Sequence, residues 1–192
     1  MAKLYFNYAA MNAGKSTTLL QASFNYRERG MDTIEFTAKI DDRVGGGVIA
    51  SRIGLRKDAH VFDAGTDLYE IVKEESADMS AACVFLDEAQ FLSNAQVMQL
   101  ARIVDELDIP VLCYGLRTDF MGDLFEGSAR LLAVSDEIRE LKTICKCGRK
   151  ATMNLRIDEN GKAVTSGETI EIGGNDRYVP LCRKHFYEAF KD

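Results

Sequence analysis

Three groups of residues in this chain have the types and spacing of reactive chemistry. The first is Ala9-Ala10-Met11-Asn12-Ala13-Gly14-Lys15-Ser16, which follows the apolar run Leu4-Tyr5-Phe6-Asn7-Tyr8 and opens a helix-forming stretch. Its pattern is G-x-x-x-x-G-K-[ST], in which backbone N–H groups wrap a phosphate, the lysine neutralises it and the hydroxyl ligates Mg²⁺. Ala9 stands where the first glycine of that pattern belongs. A methyl there crowds the turn if its φ is positive. The second group is Asp87-Glu88, at the end of the apolar run Cys83-Val84-Phe85-Leu86. An aspartate at the end of a buried strand holds Mg²⁺, usually through water. A neighbouring carboxylate can take the proton of an attacking hydroxyl or water. The third group is Cys145, Cys147, Cys182 and His185. Three sulfurs and one imidazole suit tetrahedral Zn²⁺, and a closed set of four protein ligands is structural, with no open position for catalysis.

These groups need a scaffold, and the sequence outlines one. Ser16 to Arg29 has helical character, with Leu20, Phe24 and Arg27 on one face and Gly30 as a stop. Thr33 to Ala38 is a strand, and residues 40–47 are a polar, glycine-containing loop. In that loop, Asp41 and Arg43 are within reach of Mg²⁺ or phosphate, a role that competes with plain solvation. A short helix is expected around Leu68, Ile71 and Val72. Ser93 and Gln96 form a capping box ahead of Val97, Leu100, Ala101, Val104 and Leu107. Pro110 precedes a further buried strand, Val111-Leu112-Cys113-Tyr114. Alternating strands and helices imply an α/β domain with a mainly parallel sheet, over residues 1–143. Ligands of such sheets sit at the carboxyl ends of the strands. Residues 9–16, 87–91 and 115–120 all fall there. A smaller second domain is expected over residues 144–192.

The chain has 192 residues, 46% of them hydrophobic, and a net charge of −6. That composition supports a real core and does not suggest a basic face for a nucleic acid polymer. The five cysteines are odd in number and do not form a disulfide framework. Cys83 and Cys113 lie in apolar strands and are expected to be buried. His60 is assigned to a polar loop without a special role. No apolar run approaches the roughly 18 residues of a membrane span, and no signal peptide is expected, since Lys3 is followed directly by a strand. A cytoplasmic protein is therefore expected.

Three segments are placed to shape a substrate pocket: Leu116 to Phe120, Phe125, and the stretch from Thr169 to Tyr178. Aromatic side chains there can stack on a flat base, and loop amides can read its polar edge. With these segments the whole set resembles the type II thymidine kinases, the zinc-containing family of bacteria and animal cytosol. The resemblance covers nearly the whole chain. It rests on Ala13-Gly14-Lys15-Ser16-Thr17, Ile40-Asp41-Asp42-Arg43, Asp87-Glu88-Ala89-Gln90-Phe91, Tyr114-Gly115-Leu116-Arg117-Thr118-Asp119-Phe120, Ile172-Gly173-Gly174-Asn175-Asp176-Arg177-Tyr178 and the Cys/His set.

The resemblance implies a RecA-like P-loop core and a zinc-anchored lasso loop over the nucleoside. It implies transfer of phosphate from ATP to the 5′-hydroxyl of thymidine, and a homotetramer. It gives Glu88 the part of general base and Asp87 that of the Mg²⁺-linked aspartate. Ala89 and Gln90 would border the nucleotide site. Phe120, Leu116, Phe125 and Tyr178 match substrate-contacting positions, and Thr169-Ile170-Glu171-Ile172-Gly173 matches lasso backbone that grips the base. Cys145, Cys147, Cys182 and His185 match the zinc ligands. The main competing reading is a small RecA-like ATPase with a zinc ribbon, in which Glu88 activates water. A zinc-ribbon binding module with a vestigial phosphate loop is hard to square with Lys15, Ser16, Asp87 and Glu88 together. No Asn-Lys-x-Asp motif for guanine occurs.

Overall fold

The computed structural model describes residues 1–41, 45–167 and 177–191. A central sheet carries the phosphate-loop segment. Its strands are β1 (Leu4–Ala9), β2 (Asp32–Ala38), β5 (His60–Phe62), β6 (Ala81–Leu86), β7 (Val111–Leu116) and β8 (Glu137–Glu140). Between β2 and β5 lies a hairpin of β3 (Val48–Ala50) and β4 (Arg56–Asp58). The sheet order is β5-β2-β6-β7-β1-β8, and each of its pairings is parallel. The strand that leads into the phosphate loop and the strand that ends at Asp87 are therefore not neighbours. β7 separates them, which is the strand order of a RecA-like P-loop sheet.

Helices α1 (Lys15–Glu28), α2 (Leu68–Asp78), α3 (Asn94–Leu107) and α4 (Glu126–Val134) pack against this sheet. At the start of α3 the Ser93 side chain accepts from the Gln96 N–H at 3.2 Å, and Gln96 Oε1 accepts from the Ser93 N–H at 3.1 Å. This reciprocal box satisfies two otherwise orphaned donors. Helix α1 differs from its sequence reading. Leu19, Leu20 and Ser23 face inward, whereas Phe24 is about half exposed at 48%. The inward stripe is thus shifted off Phe24, and a polar serine occupies part of it.

Ser23 is buried for an electrostatic reason. Its hydroxyl donates to Glu35 at 2.5 Å, and the Thr33 hydroxyl donates to the same carboxylate at 2.7 Å. Lys57, from β4, closes an ion pair on Glu35, which is 3% exposed, and reaches Ser23 at 3.2 Å and Thr33 at 3.0 Å. The β3–β4 hairpin is thereby pinned to the sheet and to α1. Removing one partner of a buried pair strands the other charge, which costs about 3 kcal/mol. Lys57→Met is expected to lower unfolding stability by that order, read as a fall in the urea midpoint. An unchanged midpoint would show that the pair contributes no net stability.

Beyond β8 the elements are short: β9 (Thr143–Ile144), β10 (Lys150–Ala151), β11 (Met153–Arg156), β12 (Tyr178–Leu181) and α5 (Arg183–Glu188). β9 pairs with β10 and β11 with β12, both antiparallel. Cys145, Ala151, Met153, Leu155, Leu181, Cys182 and Phe186 form an apolar cluster apart from the one around the sheet. His60 lies in edge strand β5 and not in a loop. Its Nε2 is 2.8 Å from Glu75. Cys83 and Cys113 are fully buried.

Candidate active site

The phosphate-loop segment leaves the carboxyl end of β1 and runs into α1. Ala9 is the last residue of β1, pairs with Leu116 and is 2% exposed. Positive φ falls instead on Asn12, at 63°, and on Gly14, at 78°. Asparagine tolerates the left-handed region, and glycine enters it without steric cost. Ala9 itself is not in the left-handed region, so its methyl meets no backbone strain. Gly14 precedes α1, whose first two residues are Lys15 and Ser16. Asp41, three residues past the end of β2, donates its N–H to the Ala38 carbonyl at 2.9 Å. Arg43 lies outside the described residues.

Asp87 follows β6 and is 3% exposed. Ser16 and Lys15 stand close enough to its carboxylate to favour the ionised form. The loop and the strand end predicted to share a metal thus lie close together. Burial is the main force pushing the Asp87 carboxyl up, to about 7, and the negative charge of Glu88 adds to it. Ser16 and Lys15 oppose that shift. A cation bound here would offset the cost of ionising Asp87.

Glu88 occupies the left-handed region, with φ 54° and ψ 39°. A non-glycine residue held there costs on the order of 1–3 kcal/mol and persists only where its surroundings dictate it. Gln90 supplies much of that constraint. Its Nε2 donates to Glu88 Oε2 at 2.5 Å, and its Oε1 accepts from the Leu116 N–H at 2.9 Å. One buried amide therefore ties the Glu88 carboxylate to the end of β7. Ala89 beside it is fully buried. The close approach requires Gly115, because a Cβ there would lie 2.8 Å from Gln90 Oε1 and 3.0 Å from its backbone nitrogen.

Past Leu116 the chain reaches Phe120, which is 2% exposed. The Arg156 guanidinium lies over its ring, 3.8 Å from the centroid. Tyr178 pairs across the β11–β12 ladder with Arg156. Phe125 sits at the start of α4, edge-on to Phe91 at 6.0 Å. Phe120 and Tyr178 thus both meet β11 at Arg156, while Leu116 ends β7 and Phe125 belongs to the α4 side. Thr169, Ile170, Glu171, Ile172 and Gly173 lie outside the described residues.

The Cys/His set converges. One ligand atom from each of Cys145, Cys147, Cys182 and His185 lies within 4.8 Å of the others. Cys147 Sγ is 3.9 Å from Cys182 Sγ, and His185 Nδ1 is 3.3 Å from Cys145 Sγ and 3.6 Å from Cys182 Sγ. A tetrahedron with Zn–S bonds of about 2.3 Å has edges of about 3.8 Å, so the donor set fits zinc. A disulfide does not fit, since it needs sulfurs about 2 Å apart. Burial pushes the Cys145 thiol up. Backbone hydrogen bonds at Cys147 and Cys182, with His185, outweigh it and bring Cys145 to about 6. The thiolate, the form that binds metal, is then accessible at neutral pH.

Residues 2–186 match the family model described as thymidine kinase. The chain belongs to the thymidine kinase family. A thymidine kinase of Novosphingobium aromaticivorans is 65% identical over 189 residues, spanning 98% of each chain. One from Ruegeria pomeroyi is 62% identical over 192 residues, spanning all of this chain and 97% of that one. One from Vibrio cholerae is 59% identical over 189 residues, spanning 98% of each.

Two residues of this thymidine kinase family member stand at the site without a sequence signal of their own. Asn154 and Arg156 occupy alternate positions on β11 and share one face of it. Arg156, 4% exposed, also donates from Nη2 to the Ser166 carbonyl at 3.3 Å. The only hint in the sequence was the polar residue at every second place in Met153-Asn154-Leu155-Arg156, which reads equally well as a half-solvated strand.

Proposed function

We propose that this protein transfers the γ-phosphate of ATP to the 5′-hydroxyl of thymidine, giving thymidine monophosphate for DNA synthesis. The observation that carries this reading is the position of Glu88. It stands beside Asp87 on the phosphate side and is tied through Gln90 to Leu116, where the candidate acceptor segment begins. A base bridging those two sides is placed for a hydroxyl acceptor.

In this mechanism the backbone from Ala9 to Gly14 and the Lys15 ammonium hold the phosphates of ATP, with Asp41, Ala89 and Gln90 at the border of the nucleotide site. Ser16 and Asp87 are the residues that would hold Mg²⁺, which when bound offsets charge on the transferring group. To Leu116, Phe120, Phe125, Tyr178 and residues 169–173 we assign the contacts to the nucleoside. As the 5′-oxygen bonds to the γ-phosphorus, its proton passes to the Glu88 carboxylate. The bond from the γ-phosphorus to the β,γ-bridging oxygen breaks, and ADP leaves. A closed site keeps water from competing for the phosphoryl group.

We assign residues 144–192 to a small zinc-binding domain that carries the lasso loop, held by Cys145, Cys147, Cys182 and His185. The functional unit is a cytoplasmic homotetramer. No helix among the described residues is long and apolar enough to cross a membrane.

ADP release measured with and without thymidine tests the reading. Release is expected to depend on thymidine and to match thymidine monophosphate formed, mole for mole. Strong release without thymidine would identify an ATPase instead.

A further inference from the structure

The phosphate loop carries a hydrogen bond that its own motif does not explain. The Met11 N–H donates to Asn154 Oδ1 at 2.7 Å, across 143 positions of sequence. The same side chain donates from Nδ2 to the Thr118 carbonyl at 3.3 Å, and Asn154 is 3% exposed. Met11 belongs to the loop after β1. Thr118 lies between Leu116 and Phe120, past the end of β7. Asn154 is on β11, which packs in the cluster that includes Cys145 and Cys182. One buried amide therefore touches the phosphate side, the acceptor side and the Cys/His region.

Chemistry fixes which way this amide points. A backbone N–H needs an acceptor and a carbonyl needs a donor, so Oδ1 must face Met11 and Nδ2 must face Thr118. Among side chains of this size only asparagine offers both. Leucine offers neither, and aspartate in its ionised form offers only acceptors.

We propose that Asn154 is a positioning residue that sets the phosphate loop at a fixed distance from the acceptor segment. It acts by holding Met11 and Thr118, and through them the geometry of in-line transfer. Displacements of about 1 Å between reacting groups cost up to about a hundredfold in rate. Loss of one buried hydrogen bond of ordinary strength corresponds to about tenfold. The catalytic consequence rests on the kinase reading above, whereas the hydrogen bond to Met11 does not.

The test combines backbone hydrogen exchange at Met11 with thymidine turnover, in the full chain and two variants. In the unaltered protein the Met11 amide is expected to exchange slowly. Asn154→Leu, of similar volume, is expected to speed that exchange and to lower kcat about tenfold, by the same conversion. Asn154→Asp keeps an acceptor for Met11 and, assayed at a pH where its carboxyl is ionised, loses the donor for Thr118. It is expected to keep the slow exchange with an intermediate kcat. A packing role alone would not separate the two variants at this one amide.

Fast exchange at Met11 in the unaltered protein would overturn the proposal. So would Asn154→Leu with unaltered exchange and turnover, or Asn154→Asp with exchange as fast as Asn154→Leu. If Asn154→Leu does not fold, the unaltered protein and Asn154→Asp still decide the matter. If the unaltered protein does not phosphorylate thymidine, the kinase reading fails, and exchange at Met11 still judges the clamp.

Discussion

Glu88→Gln is expected to lower kcat by about a hundredfold to ten-thousandfold, the usual contribution of a positioned general base. The substitution keeps the size of the side chain and leaves a carbonyl oxygen that can accept from Gln90 Nε2. The left-handed backbone at position 88, with φ 54°, is held by its neighbours and has no reason to relax. Only the capacity to take a proton is lost. ATP binding is expected to survive. Glu88 is one of the causes that push the Asp87 carboxyl up, so removing its charge makes Asp87 easier to ionise, not harder. The expected pattern is therefore a collapsed kcat with little change in ATP affinity, read by steady-state turnover and by equilibrium titration with ATP. A variant that binds ATP and keeps kcat within about threefold would exclude Glu88 as the base, since that is below the smallest effect expected of one.

The residues of that prediction were legible in the sequence because their signals are local. A glycine-lysine-serine run after a strand, an acidic pair at the end of an apolar run and a serine–glutamine box each declare themselves within about one helical turn. Ala9 was ambiguous because the sequence gives no φ. The structure places it in β1, and the left-handed residues of the loop are Asn12 and Gly14.

What was not legible depends on distance. The β3–β4 hairpin contains Arg56-Lys57-Asp58, which has no strand propensity. It is held by Glu35 at a separate place in the chain. Phe24 follows helical spacing with Leu20, yet the inward stripe of α1 passes through Ser23, because Glu35 needs its hydroxyl. β8 has one apolar residue in Glu137-Ile138-Arg139-Glu140 and is a strand because β1 offers it an edge. Asn154 reaches Met11 across 143 positions, and no spacing rule spans that interval.

Cys182→Ser is expected to have the broadest effect. A serine hydroxyl is a poor substitute for a thiolate, and with one ligand gone the remaining three lose a closed tetrahedral set. Metal-binding energy in small modules is folding energy, on the order of 10 kcal/mol for a structural zinc site. The C-terminal cluster is small, and segments near roughly 40 residues usually need a metal or disulfide to fold. Loss of the ion is therefore expected to loosen β11 and β12 with the cluster around Leu155, Leu181 and Phe186.

That loosening reaches the site. Asn154 and Arg156 ride on β11, so the Met11 bond and the stack on Phe120 are lost with it. Zinc content is expected to fall from about one ion per chain to none. Thymidine binding and turnover fall with it, while α1, β1 and the rest of the parallel sheet keep their far-ultraviolet signature. Stripping the unaltered protein with a tight chelator should reproduce the effect, and adding zinc back should reverse it. Cys182→Ser with a full complement of zinc, or a metal-free chain that binds thymidine normally, would remove the structural role assigned to these four residues.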